Sequence, residues 1–100
     1  MKVKSAAFLI KDPANIWECT RSAAGLAVEN ILIHLFFIDV DLDISNGEAD
    51  FFELLEMIDD LDGSSCTTRL DQTESVPFLT HCGPADIRNR LSGCDVVICF

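Results

Sequence analysis

The sequence predicts a small α/β domain, a three-layer α/β sandwich with a mainly parallel sheet of four to five strands and helices on both faces. Three observations lead there. Residues 1–40 read as strand, helix, strand, and such a crossover unit joins parallel strands. Short apolar runs alternate with stretches of helical spacing along the rest of the chain. One hundred residues, 49% of them hydrophobic, give a single domain over 1–100 with a real but small core.

Val3 to Ile10 reads as a central strand, because both of its faces are apolar. Lys11-Asp12-Pro13 breaks it. From Ala14 to Asn30 the spacing is helical: Ile16, Trp17, Thr20, Ala23, Ala24, Ala27 and Val28 recur at three- and four-residue steps. Asp12 or Asn15 is placed to cap its start. Ile31 to Ile38 is the second strand, with His34 its one polar member. Asp39 to Asp50 is a polar connection. A second helix runs from Ala49 or Asp50 to Leu61, with Phe51, Leu54, Leu55 and Ile58 as its apolar stripe. Glu53, Glu56, Asp59 and Asp60 face water, and Asp62-Gly63 ends the helix. Ser65 to Leu70 and Val76 to Leu79 are read as the third and fourth strands. Only Asp71 to Ser75 would lie between them, which is too short for a parallel crossover. They are therefore expected to be antiparallel neighbours, or apart in the sheet, or one of them is loop. Pro84 to Leu91 is a third helix with proline in its first turn, and Asp95 to Phe100 is a last strand.

Several function classes fall away. The break at Lys11-Asp12-Pro13 holds no glycine-rich loop, so the usual phosphate-wrapping backbone is missing. Net charge is −10, with seven basic residues against seventeen acidic, which argues against a direct nucleic-acid partner. The acidic residues concentrate between Asp39 and Asp62, as a solvated face or a surface for a basic partner. The longest nearly pure apolar run, Ile31 to Ile38, is too short to span a bilayer, so no membrane is expected. The run after Met1-Lys2-Val3-Lys4 stops at Lys11-Asp12 with no small-residue cleavage site behind it, so the protein is expected to be cytoplasmic. Asp39-x-Asp41-x-Asp43 has the opening of a calcium loop, but Ile44 stands where the turn needs glycine and Asp50 where a bidentate Glu belongs. No cofactor and no metal is expected.

The chemistry is sought in five cysteines, at 19, 66, 82, 94 and 99. The number is odd and there is no Cys-x-x-Cys, which is neither a disulfide framework nor a zinc pattern. Cys82 stands in His81-Cys82-Gly83-Pro84, just ahead of a helix start, where backbone N–H groups and the helix dipole stabilise a thiolate. His81 is placed to add charge or take a proton. The plain reading of the same stretch is a turn and cap. Cys66 follows Asp62-Gly63-Ser64-Ser65 into a strand, either as a reactive thiol among hydroxyls or as a strand residue. Cys19, Cys94 and Cys99 read as small core residues, and His34 as a structural histidine.

A family pattern also runs through the chain. A first strand leads into Lys11-Asp12-Pro13, and the helix Trp17 to Asn30 leads into Leu35-Phe36-Phe37-Ile38-Asp39. A helix rich in Phe, Leu and Glu follows the polar connection. Ala85-Asp86-Ile87 through Cys94-Asp95-Val96-Val97-Ile98-Cys99-Phe100 supplies a last helix and a closing strand. Together these resemble the DsrE/DsrF-like superfamily of small sulfur-relay proteins. The resemblance implies an α/β sandwich that forms a homo-oligomer. In some members a cysteine accepts sulfur as a persulfide and hands it to a sulfur-relay partner; others lack that cysteine and serve as partner subunits. The family's reactive cysteine lies at the end of the third strand or just after it. Here Cys66 sits near the start of that strand, and Asp71-Gln72-Thr73-Glu74-Ser75 holds no cysteine. Two expectations stand side by side: a sulfur carrier using Cys82 or Cys66 with His81, and a non-catalytic subunit or interaction module. A third is a small-ligand binder at the carboxyl ends of the strands.

Overall fold

β1 (Ser5–Ile10) is an interior strand of a five-stranded sheet, as its two apolar faces require. The computed structural model describes residues 3–42 and 47–100. After β1 come α1 (Ile16–Val28), β2 (Leu32–Phe37), α2 (Glu48–Asp60), β3 (Ser64–Thr67), β4 (Leu79–His81), α3 (Pro84–Ser92) and β5 (Val96–Cys99). The sheet order is β4-β3-β2-β1-β5, and every neighbouring pair is parallel. The expected sandwich is observed, with its sheet wholly parallel.

Strand alternation sorts the side chains into two cores. Ala6, Phe8, Ile10, Ile33, Leu35 and Phe37 meet the buried sides of α1 and α2. Ala7, Leu9, Phe36 and Cys66 face the other way and are covered by Ile87 and Leu91 of α3. Two helices thus cover one face and a single short helix the other.

Asp12 caps the chain as it leaves β1: its Oδ1 accepts from the Ala14 N–H at 3.0 Å, opening a single 3-10 turn (Pro13–Asn15) before α1. Asn15 makes no side-chain cap bond. The stripe predicted for α1 is buried at Ile16, Thr20, Ala23, Ala24 and Ala27, whereas Val28 in the last turn is 61% exposed. In α2, Phe51, Leu55 and Ile58 are fully buried. Trp17 and Phe51 meet in a T-shaped contact with ring centroids 5.6 Å apart, and the Phe51 and Phe37 centroids lie 6.2 Å apart. No helix among the described residues is long and apolar enough to cross a membrane.

Gly63 ends α2 for a steric reason. A Cβ there would lie 2.5 Å from the Ile33 carbonyl oxygen and 2.7 Å from Ile58 Cγ2. Neither backbone nor a packed isoleucine can yield that space. Gly63→Ala is expected to cost about 2–3 kcal/mol in a urea titration. Gly25→Ala, where nothing stands within 4 Å of the new methyl, is expected to hold or gain stability.

One expectation is corrected. β3 and β4 are parallel neighbours, in the register Ser65↔Leu79, Cys66↔Thr80, Thr67↔His81. Both strands are shorter and lie further apart than their sequence patterns indicate. The crossover therefore has residues 68–78, including a 3-10 stretch (Leu70–Glu74), which is enough chain to return parallel. Val76, read as strand, is a core residue of that crossover.

β5 pairs with β1 across almost the whole sequence, Ala6↔Val96 to Leu9↔Cys99. The Asp95 carboxylate fixes the register by accepting from the Lys4 and Ser5 N–H groups at 2.7 and 3.2 Å.

Candidate functional site

The carboxyl ends of β2, β3 and β4 meet the start of α3 around a cavity of about 600 Å³. Ile38, Ile87 and Leu91 give it an apolar wall, and Asp39, Thr68 and His81 stand on its polar side. Its rim is a fixed structure. Thr68 Oγ1 accepts from the Asp39 N–H at 2.8 Å and donates to Asp39 Oδ1 at 3.0 Å. Arg69 pairs with the carboxylates of Asp41 and Asp71. The acidic residues read as a calcium-loop opening are thus engaged at Asp39 and Asp41; Asp43 and Ile44 lie outside the described residues.

Cys82 forms part of the cavity wall. Its N–H donates to the Thr67 carbonyl at 2.9 Å, continuing the β3–β4 ladder one step past the last strand residue. Its thiol donates to the same carbonyl at 3.7 Å rather than to His81, which lies exposed at the rim. The Cys82 side chain is 3% exposed. Burial pushes its thiol up to about 12; the neighbouring Cys66 and Asp86 add to the rise, and Arg90 opposes it. The helix start beside it is also occupied, since the Asp86 carboxylate accepts from the Gly83 N–H at 3.3 Å.

Cys66 lies behind Cys82, on the adjacent strand and under α3, and is 0% exposed. Arg90 Nη1 donates to its sulfur at 2.9 Å, and Thr80 Oγ1 donates to it at 3.5 Å. The same guanidinium donates to Ser64 Oγ at 3.1 Å, and Ser64 shares a 2.7 Å hydrogen bond with His34 Nδ1. Burial, and then the charge of Arg90, lower the pKa of His34, so the imidazole is held neutral. No carboxylate pairs with Arg90 among the described residues. The result is a polar row beneath α3, His34–Ser64–Arg90–Cys66, that ends at Cys82 and the cavity.

Of the residues singled out from sequence, Cys66 and Cys82 come together in one buried cluster, and His81 lines the edge of the cavity that Cys82 borders. Arg90 and Thr80 went unmarked. Arg90 had a readable signal: it is three residues after Ile87 and four before Cys94, so it sits on the side of its helix that turns toward the sheet, although the residue itself is exposed. From there its guanidinium reaches inward to the Ser64 hydroxyl and the Cys66 sulfur.

The other thiols divide. Cys19 is buried under α1, and burial pushes it up to about 12. Cys94 is half-buried, with its pKa raised by burial. Cys99, expected in the core, is exposed: it alternates with Ile98 onto the α3 side of an edge strand, where α3 provides no cover. Alkylation of the native protein is accordingly expected to mark Cys99 first and Cys19 and Cys82 last, by more than about tenfold in rate, read by peptide mass spectrometry. Comparison of the chain with protein-family models, curated proteins and solved structures finds no match.

Proposed function

We propose that the protein is a DsrE-like sulfur acceptor that loads a sulfane sulfur on Cys82. The observation that carries this is the position of Cys82 in the wall of the carboxyl-end cavity, with a second thiol in the same buried cluster and the Arg90 guanidinium donating to that second thiol. The step is an exchange at sulfur. Deprotonated Cys82 attacks the outer sulfur of a donor persulfide, the donor's S–S bond breaks, and the donor departs as a thiol carrying the proton that Cys82 gave up. In this reading His81, which lines the same cavity, carries that proton. Because burial holds the Cys82 thiol protonated, loading accelerates with rising pH. The resemblance adds a homo-oligomer, a cytoplasmic location and a sulfur-relay protein as the next acceptor. The exposed carboxylates of α2, Glu53, Glu56, Asp59 and Asp60, offer such a partner a docking face.

Incubation with a small-molecule persulfide donor, followed by alkylation and peptide mass spectrometry, tests the reading. Wild type is expected to gain sulfur on the Cys82 peptide, Cys82→Ser to gain none there, and Cys19→Ser and Cys94→Ser to behave as wild type. A specific observation favours a second reading, a non-catalytic DsrE-like subunit or interaction module: both central thiols are shielded from solvent. Absence of sulfur from every cysteine, with Cys82 still unmodified at raised pH, selects that second reading.

A further inference from the structure

The two central thiols differ in what reaches them. Cys82 borders the cavity, whereas Cys66 is sealed beneath α3, so any nucleophile or electrophile that meets Cys66 comes from within the protein. Such a group is Cys82, buried in the same cluster and bordering the cavity. The two strands are hydrogen-bonded neighbours, the Cys82 N–H and thiol both donate to the carbonyl of Thr67, the residue after Cys66, and the two cysteine side chains lie in one buried cluster on the same side of the sheet. Arg90 and Thr80 both direct donors at the Cys66 sulfur. A single thiol at the cavity wall suffices to carry sulfur. A second thiol behind it, held by a cation with no carboxylate partner among the described residues, is suited to another reaction.

We propose that Cys66 is a resolving thiol that discharges the sulfur carried on Cys82 as sulfide, so that the protein reduces persulfide sulfur. The inference rests on the sulfur-acceptor reading above. The Cys66 sulfur attacks the inner sulfur of the Cys82 persulfide. A Cys66–Cys82 S–S bond forms and the Cys82–sulfane bond breaks. The outer sulfur takes the bonding pair and leaves as hydrosulfide, which receives the proton from Cys66 to become hydrogen sulfide. The Cys66 sulfur is oxidised and the departing sulfur reduced by the same two electrons, so no external oxidant enters. The guanidinium of Arg90, 2.9 Å from the attacking sulfur, offers that sulfur a counter-charge as its proton leaves ahead of the attack. The cavity gives the leaving sulfide its exit. A small thiol reductant then reopens the disulfide.

The experiment is a time course on the full chain with sodium tetrasulfide, followed after desalting by intact-mass and peptide mass spectrometry and by bimane trapping of released sulfide. In wild type, sulfur on Cys82 is expected to be transient. It gives way to a Cys66–Cys82 disulfide and about one sulfide per chain, and dithiothreitol reverses the disulfide. In Cys66→Ala, checked for folding by circular dichroism, sulfur on Cys82 persists and sulfide release falls about tenfold or more. Sulfur on Cys82 that lasts as long in wild type as in Cys66→Ala, with no disulfide, overturns the inference and leaves the acceptor reading intact. No sulfur on Cys82 in either protein overturns both. The wild-type time course needs no variant, so a poorly folded Cys66→Ala would not spare the proposal.

Discussion

Raising the pH from 9.0 toward 12 is expected to unfold this protein. Cys19 and Cys82 keep their protons in the fold up to about 12, whereas a free thiol releases its proton near 9.0. Between those values the unfolded chain binds fewer protons than the folded one, so stability falls with pH. The contribution is whole below pH 9.0 and is lost as pH rises through the folded values near 12. Each thiol removes about 1.4 kcal/mol per pH unit across that window, and domains of this size hold only about 5–15 kcal/mol in all. The chain has no tyrosine, so the phenols that usually blur alkaline transitions are missing. Urea midpoints measured across the window give the slope. Cys19→Ala and Cys82→Ala are each expected to flatten it by about one proton's worth. An equal slope in wild type and both variants would remove the buried thiols as its cause.

The second large effect concerns Phe51. This ring is fully buried where α1, α2 and β2 converge, against Trp17 on one side and Phe37 on the other. Phe51→Ala leaves a hole that three elements cannot close together, with an expected loss of about 3–5 kcal/mol. Trp17 is the only tryptophan and provides the readout. Its emission should shift to the red in the native variant as water reaches the vacated edge. Phe52→Ala, one residue on and half-buried, should cost less than half as much.

The two effects belong to parts of the chain that differ in how openly the sequence declares them. β1, α1, β2 and α2 are long enough for their periodicity to show, and the stripe through Phe51, Leu55 and Ile58 marks its core residues. β3 and β4 are four and three residues long. Ser65 and Thr67 take buried places there that apolar residues usually fill, while the apolar Val76 belongs to the connection. Hydropathy therefore carries the third strand too far and starts the fourth too early, which makes the crossover look too short. The site follows the same logic. A cysteine ahead of a helix start is visible at Cys82, but its closeness to Cys66 depends on the β3–β4 register, which no local pattern encodes. Burial then reverses the effect that a helix start alone would have on that thiol.

The place of β5 beside β1 also sets an order of events in time. β1 pairs with β2 across one helix, but its other flank is closed by residues from the far side of the sequence, Ala6 with Val96. That contact spans nearly the entire described chain and carries a high closure entropy, so it forms late. Until then this largely apolar strand has one bare row of N–H and C=O groups. In the finished sheet this row is interior, and so it carries none of the charges or prolines that guard native edges. The kinetic hazard of this fold lies at its centre. A chain waiting for β5 offers Ser5–Ile10 as a template to another chain in the same state.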